Sequence, residues 1–109
     1  MLKTGLNFLL TLFVMFAIAF PPPAIAADAA QLFELHCSGC HLNGGNIVRR
    51  GKNLKLKTLE REQMATIAAI AHIITNGKGN MSAYADRLTP TEISQVAAYV
   101  LTQAQQGWH

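Results

Sequence analysis

The sequence predicts an all-α fold, and three observations carry that expectation. Two stretches repeat apolar residues at three- and four-residue spacing, the period of a helix face. A third carries an apolar face behind a capping-box start. No stretch alternates apolar and polar residues as a half-buried strand would.

The chain has 109 residues, of which 50% are hydrophobic and 14% charged, with a formal net charge of +3. Much of the apolar excess lies at its start. Lys3 supplies a positive n-region, and Leu6 to Phe20 is apolar apart from Asn7 and Thr11. Pro21, Pro22 and Pro23 end any helix, and Ala24-Ile25-Ala26 offers the small-x-small pattern that signal peptidase accepts. The run is shorter than the roughly 18 to 20 residues a spanning helix needs. Residues 1–26 therefore read as a cleaved signal peptide, with a retained N-terminal anchor as the alternative.

Residues 27–109 then form one small domain, too short for a two-domain enzyme, a long repeat array or a large sheet. Domains of this size commonly need a staple. Export would suggest disulfides, but Cys37 and Cys40 lie too close together to close more than a tiny loop. Another stabilising element is required.

The first helix is expected to start at Asp28 as N-cap, with Gln31 completing a capping box and Leu32, Phe33 and Leu35 on its apolar face. The second is expected after Thr58, with Glu60 and Glu62 early, where the helix dipole favours anions. Met64, Ile67, Ala71 and Ile74 continue it to a stop at Asn76-Gly77. The third has Thr89 as N-cap, Pro90 at the first helical position and Glu92 closing the box. Ile93, Val96, Ala97, Val100 and Leu101 follow along one face.

Between the first two helices lies Leu42 to Lys57, with Gly44, Gly45 and Gly51, the cations Arg49, Arg50, Lys52, Lys55 and Lys57, and no acid. Loops of this length are uncommon in compact domains unless they are functional. That segment and the loop from Gly77 to Leu88 would make sense wrapped around a flat, apolar cofactor. The cations could steer docking to an acidic partner; the bland alternative is a solvated loop. No recognition motif accompanies the charge, so nucleic acid is not the expected partner.

Cys37-Ser38-Gly39-Cys40-His41 is C-x-x-C-H, the attachment motif of a c-type haem. Two thiols three residues apart on a helical turn can each add to one vinyl group, forming thioethers. The next residue then presents an imidazole as the proximal iron ligand. A thioredoxin-like dithiol would sit in a βαβ context that is missing here. A zinc site would need two more ligands at finger-like spacing, and His36, His72 and His109 are unpaired in sequence. A simple disulfide leaves the glycine loops unexplained.

For the sixth iron position the residues favour Met81, which follows Asn76-Gly77-Lys78-Gly79-Asn80. Those glycines let backbone approach a planar cofactor, and a thioether ligand favours ferrous iron. The alternative is a loop methionine packed under the haem edge. Met64 belongs on a helix stripe and is expected in the core. His72 is expected partly exposed, His36 is tied away from the iron by its neighbour Cys37, and His109 is assigned nothing. Phe33, Tyr84, Tyr99 and Trp108 are expected to pack in the core or against the cofactor.

Leu32-Phe33-Glu34-Leu35-His36-Cys37-Ser38-Gly39-Cys40-His41, Asn43-Gly44-Gly45-Asn46 and Gly51-Lys52-Asn53-Leu54 together resemble cytochrome c6, the small photosynthetic class I cytochrome c of cyanobacteria and algae. Asn76-Gly77-Lys78 before Met81, Arg87-Leu88, and Val96-Ala97-Ala98-Tyr99-Val100 extend the resemblance over nearly all of residues 27–109. It implies a class I cytochrome c fold of three to four helices around one covalent haem c, with the first and last helices crossing beside it. It further implies thioethers at Cys37 and Cys40, and iron ligation by His41 and Met81. The implied role is a soluble, non-enzymatic electron carrier in the thylakoid lumen, or alternatively the periplasm, running from the cytochrome bf complex to photosystem I. Arg87 matches a family arginine near the docking surface.

Two positions depart from that pattern. Ser82 stands where the family usually has proline, and Ile73 stands where photosystem donors typically have glutamine near the haem. Low-potential relatives carry an apolar residue at the latter position. A low-potential carrier outside photosystem I donation is therefore one alternative. A haem sensor or small haem enzyme with a labile sixth ligand is another.

Overall fold

The structure, a computed structural model, describes residues 24–109, with side chains from Asp28 onward. The expected n-region, apolar run and triple proline of the signal peptide lie outside the described residues. The described residues form five α-helices: α1 Ala24–His36, α2 Ser38–His41, α3 Leu56–Arg61, α4 Ile67–Asn76 and α5 Pro90–Gln106. Two 3-10 turns, Leu42–Gly44 and Arg50–Lys52, punctuate the long loop between α2 and α3. No strand occurs among the described residues; Lys78 and Met81 make one isolated antiparallel bridge.

Two helix starts differ from expectation. Helix α1 is already formed at Ala24, so Asp28 stands exposed within the helix and does not cap it. The expected second helix is two helices. Helix α3 begins at Leu56, ahead of Thr58, and ends where Gln63 takes a positive φ of 58°. The turn is closed by Met64 N–H donating to the Leu59 carbonyl at 2.7 Å. Helix α4 then starts afresh with Thr66 as its cap, whose hydroxyl accepts from Ala69 N–H at 3.1 Å. The apolar spacing from Met64 to Ile74 is real, but it spans a break.

Helix α5 begins as its sequence says. The Thr89 hydroxyl accepts from Glu92 N–H at 3.1 Å, and the Glu92 carboxylate accepts from Thr89 N–H at 2.9 Å. Two of the otherwise orphaned N–H groups of the helix start are thereby satisfied. Its buried face is Ile93, Val96, Ala97, Val100 and Ala104. Val96 and Ala97 are fully buried, and their small side chains let neighbouring helices approach closely.

The core forms where α5 meets α1 on one side and α4 on the other. Phe33 comes from α1, Ile70 and Ile74 from α4, and Leu59 and Leu88 close the ends. At the α1–α5 crossing Phe33 lies 5.4 Å from the Tyr99 ring and 5.3 Å from the Trp108 ring, both tilted. Aromatic pairs in such geometry contribute about 0.5–1.5 kcal/mol beyond their burial. Trp108 reaches that cluster because Gly107 turns left-handed at the end of α5 and Trp108 N–H donates back to the Gln103 carbonyl at 2.8 Å.

Candidate functional site

Helices α1 and α2 are nearly continuous, interrupted only at Cys37. Cys37 N–H still donates to the Phe33 carbonyl at 2.8 Å, and His41 N–H donates to the Cys37 carbonyl at 2.9 Å. That single interrupted helix carries both thiols and the imidazole in one turn. Cys37 is half-buried against the core and Cys40 is exposed, and both are free thiols. Burial pushes the Cys37 thiol up to about 11, so it stays protonated at neutral pH. Reactive dithiols work through a depressed thiol pKa. The βαβ context of a thioredoxin-like dithiol is missing among the described residues, which hold no strand.

The His41 ring is fixed from one side. Its Nδ1 lies 2.8 Å from the Gly45 carbonyl oxygen. A carbonyl can only accept, so Nδ1 carries the proton, and in the neutral ring Nε2 is left with a free lone pair. This is the arrangement in which an imidazole is oriented as a metal ligand. Gly45 is held in turn, its N–H donating to the Leu42 carbonyl at 2.9 Å, while Ile47 N–H reaches the Cys40 carbonyl at 3.0 Å. Asn46 organises the rest of the loop. Its Oδ1 accepts from Val48 and Arg49 N–H, and its Nδ2 donates to the Lys52 carbonyl.

Met81 ends the Gly77–Asn80 loop and packs against the same core that Cys37 borders. The backbone there is pinned by a pair of hydrogen bonds, Lys78 N–H to the Met81 carbonyl and Met81 N–H to the Lys78 carbonyl, both 3.0 Å. Gly77 permits this turn with φ 71° and ψ 175°, a region essentially closed to other residues. A Cβ on Gly77 would stand 2.5 Å from the Met81 carbonyl oxygen. The loop continues to Tyr84, whose hydroxyl donates to the His36 carbonyl at 3.0 Å. That bond brings the Met81 loop to the end of α1, one residue before Cys37.

Met64 is half-buried against the core. His72 is exposed, with Nδ1 3.3 Å from Asn76 Nδ2. His36 meets the Tyr84 ring edge-on at 6.0 Å, and His109 is exposed at the C-terminus. Among the described residues no three His, Cys, Asp or Glu side chains come together as a zinc site would require.

Three large apolar side chains follow the motif with little protein to cover them: Leu42 is 61%, Ile47 70% and Val48 55% exposed. A groove of about 330 Å³ opens beside Gly45, lined by Asn46, Ile47, Arg50, Asn53 and Lys55. Apolar surface, two thiols on one turn, an oriented imidazole and a thioether on a pinned loop fit a covalently held haem. Two contributors were not singled out in the sequence: the Gly45 carbonyl and the Tyr84 hydroxyl. The doubled glycine after the motif was the one available hint of the first.

Comparison with known proteins places the chain among c-type cytochromes. A family model described as cytochrome C oxidase, cbb3-type, subunit III matches residues 24–100. A protein of Nostoc sp. strain PCC 7120 named cytochrome c6-like is 52% identical over 106 residues, covering 94% of this chain and 96% of the relative. Cytochrome c6 of Gloeothece citriformis is 42% identical over 98 residues, covering 87% and 89%. The crystal structure of cytochrome c6C from Synechococcus sp. PCC 7002 superposes with a TM-score of 0.73 at 57% identity, covering 74% of this chain and 99% of that one.

Proposed function

The chain belongs to the cytochrome c6 family and so is an electron-carrying cytochrome with one covalent c-type haem; on that premise we propose that it is a soluble one-electron carrier of an exported compartment. Residues 1–26 act as its cleaved export signal, and residues 27–109 are the cytochrome domain. Cys37 and Cys40 would hold the haem through thioethers, and His41 and Met81 would bind its iron. The haem, when attached, supplies the ferric–ferrous couple.

The observation that carries this reading is the 2.8 Å contact between His41 Nδ1 and the Gly45 carbonyl oxygen. It fixes the tautomer and frees Nε2 for iron. Met81 sits on a loop pinned by paired backbone bonds, which holds the thioether in one place in both oxidation states. Arg50 and Lys55 at the groove supply positive charge for the carboxylates a haem carries. The exposed cations Arg49 and Lys57 suit brief docking on an acidic partner. In the family's photosynthetic role, the donor is the cytochrome bf complex and the acceptor photosystem I, in the thylakoid lumen or periplasm.

A second reading has its own support. The chain is nearer in identity to the cytochrome c6-like and c6C proteins than to the Gloeothece cytochrome c6, and Ile73 leaves no hydrogen-bonding amide where photosystem donors have one. On that reading the protein is a lower-potential carrier in a separate circuit. An optical redox titration of the haem-loaded protein separates the two. A high potential favours delivery to photosystem I, and a markedly lower one the separate circuit. Met81→Ala should remove the thioether ligand and lower the potential; an unchanged spectrum and potential would overturn its assignment. Rapid carbon monoxide binding by the unmutated ferrous protein would instead mark an open sixth site and a sensor or enzyme.

A further inference from the structure

We infer that Trp108 is a positioning residue for the axial imidazole, acting on His41 through the glycine loop; this rests on His41 being an iron ligand. The chain of contacts is continuous. The left-handed Gly107 folds the C-terminus back, and the Trp108 indole Nε1–H donates to the Leu54 carbonyl at 3.0 Å. Leu54 N–H donates to the Gly44 carbonyl at 2.7 Å. The indole also occupies the space over Gly44, where a Cβ would stand 2.4 Å from Nε1. Gly44 has φ 77°, so glycine is required there on two counts, backbone conformation and contact with the ring.

Gly44 is thus held by a ring on one side and an amide on the other. The next residue, Gly45, presents the carbonyl that accepts from His41 Nδ1. A glycine pair has no side chains of its own to fix its peptide planes, so beyond the local Gly45 N–H bond to the Leu42 carbonyl its clamp comes from outside the loop. Trp108 supplies it, seated against Phe33 at 5.3 Å and Tyr99 at 6.4 Å. An acceptor on Nδ1–H raises the basicity of the ligating imidazole. A more basic ligand favours ferric iron, so a tight Gly45 carbonyl lowers the potential.

The test uses haem-loaded protein carrying Trp108→Phe or Trp108→Ala. The ring proton on His41 Nδ1 is followed by nuclear magnetic resonance in the diamagnetic ferrous state, alongside potential and melting temperature. In Trp108→Ala the exchange of that proton with solvent should quicken about fivefold, as expected for losing roughly one hydrogen bond from the loop, and the potential should rise. Trp108→Phe keeps a ring over Gly44 without the donor to Leu54 and should fall between. A lower melting temperature with unchanged exchange and potential would overturn the inference, leaving Trp108 as core packing alone. If Trp108→Ala does not load haem, Trp108→Phe decides by the same readouts. His41→Ala separates the two levels: a retained low-spin spectrum in that variant defeats the ligand assignment itself. A spectrum that depends on His41, with Trp108 variants matching wild type, defeats only the positioning role.

Discussion

The Tyr84 hydroxyl donates to the His36 carbonyl at 3.0 Å, joining two residues 48 positions apart in the chain. The acceptor is one of the carbonyls a helix leaves unpaired at its C-terminus, and the donor lies three residues beyond Met81. The bond therefore couples the loop that carries one proposed axial ligand to the helix that carries the other. Arg87 lies over the Tyr84 ring, 4.4 Å from its centroid, and holds that ring in place.

Tyr84→Phe removes only the hydroxyl. It should cost about 1 kcal/mol of stability, the value of a partly buried hydrogen bond. It should also weaken the thioether-to-iron charge-transfer absorption, because the Met81 loop loses its tie to α1. Thermal unfolding and the visible spectrum check both halves. A lower melting temperature with an unchanged absorption band would show that the loop is held without this bond.

Gly77→Ala should be the most damaging single change in the Met81 loop. The new methyl would meet the Met81 carbonyl oxygen at 2.5 Å and the Ala83 nitrogen at 2.8 Å, both backbone atoms. Backbone strain alone costs about 1–3 kcal/mol at such a φ and ψ. The expected outcome is a destabilised protein in which ferrous haem binds carbon monoxide faster than wild type.

Ile73→Gln tests whether a hydrogen-bonding amide at this position changes the potential. Ile73 lies half-buried on α4, and its carbonyl accepts from Gly77 N–H at 2.7 Å, at the root of the Met81 loop. An amide at this position should raise the potential, with little change in melting temperature. An unchanged potential would mean that this side chain does not reach the haem surroundings.

Glu62 gives the protein a small acid-sensitive element. Its carboxylate lies 2.8 Å from Lys52 Nζ and 3.6 Å from Arg61 Nε. The hydrogen bond and charge of Lys52 hold it below its ordinary value of 4.5. A carboxyl depressed in the folded state stabilises above its unfolded value and loses that contribution as pH falls through the folded one. Glu62→Gln should therefore lower the melting temperature slightly at pH 7 and hardly at all at pH 3. High salt should shrink the neutral-pH difference, since the pair is solvent-exposed.

Much of the fold was legible because it depends on residues near one another in sequence. The Thr89, Pro90 and Glu92 start of α5 formed as expected, since a capping box is closed entirely within four residues. The solvent-facing side of His72 also follows from helical spacing, whereas Met64 packs against the core from the turn between α3 and α4. The two departures at helix starts have separate causes. Asp28 can cap only if the helix begins there, and the chain before it is already helical. The break at Gln63 has no glycine or proline to announce it, and it depends on Met64 turning back to Leu59. The candidate site divides the same way: Cys37, Cys40 and His41 are legible as a motif, whereas Tyr84 and Trp108 could be read only as packing aromatics.

The sequence by itself determined an all-α chain and a motif with two thiols and an imidazole on one helical turn. These are set by local spacing, where the rise and period of a helix fix what neighbours can do. Only the tertiary structure decided which acceptor orients His41, what pins the Met81 loop and what clamps the Gly44–Gly45 turn. Those partners come from the far ends of the chain, such as Trp108 to Leu54 and Tyr84 to His36. The physical reason is that a hydrogen bond needs its two atoms about 3 Å apart. Only the packing of α1 against α5, together with the fold of the Met81 loop onto α1, brings such distant residues that close.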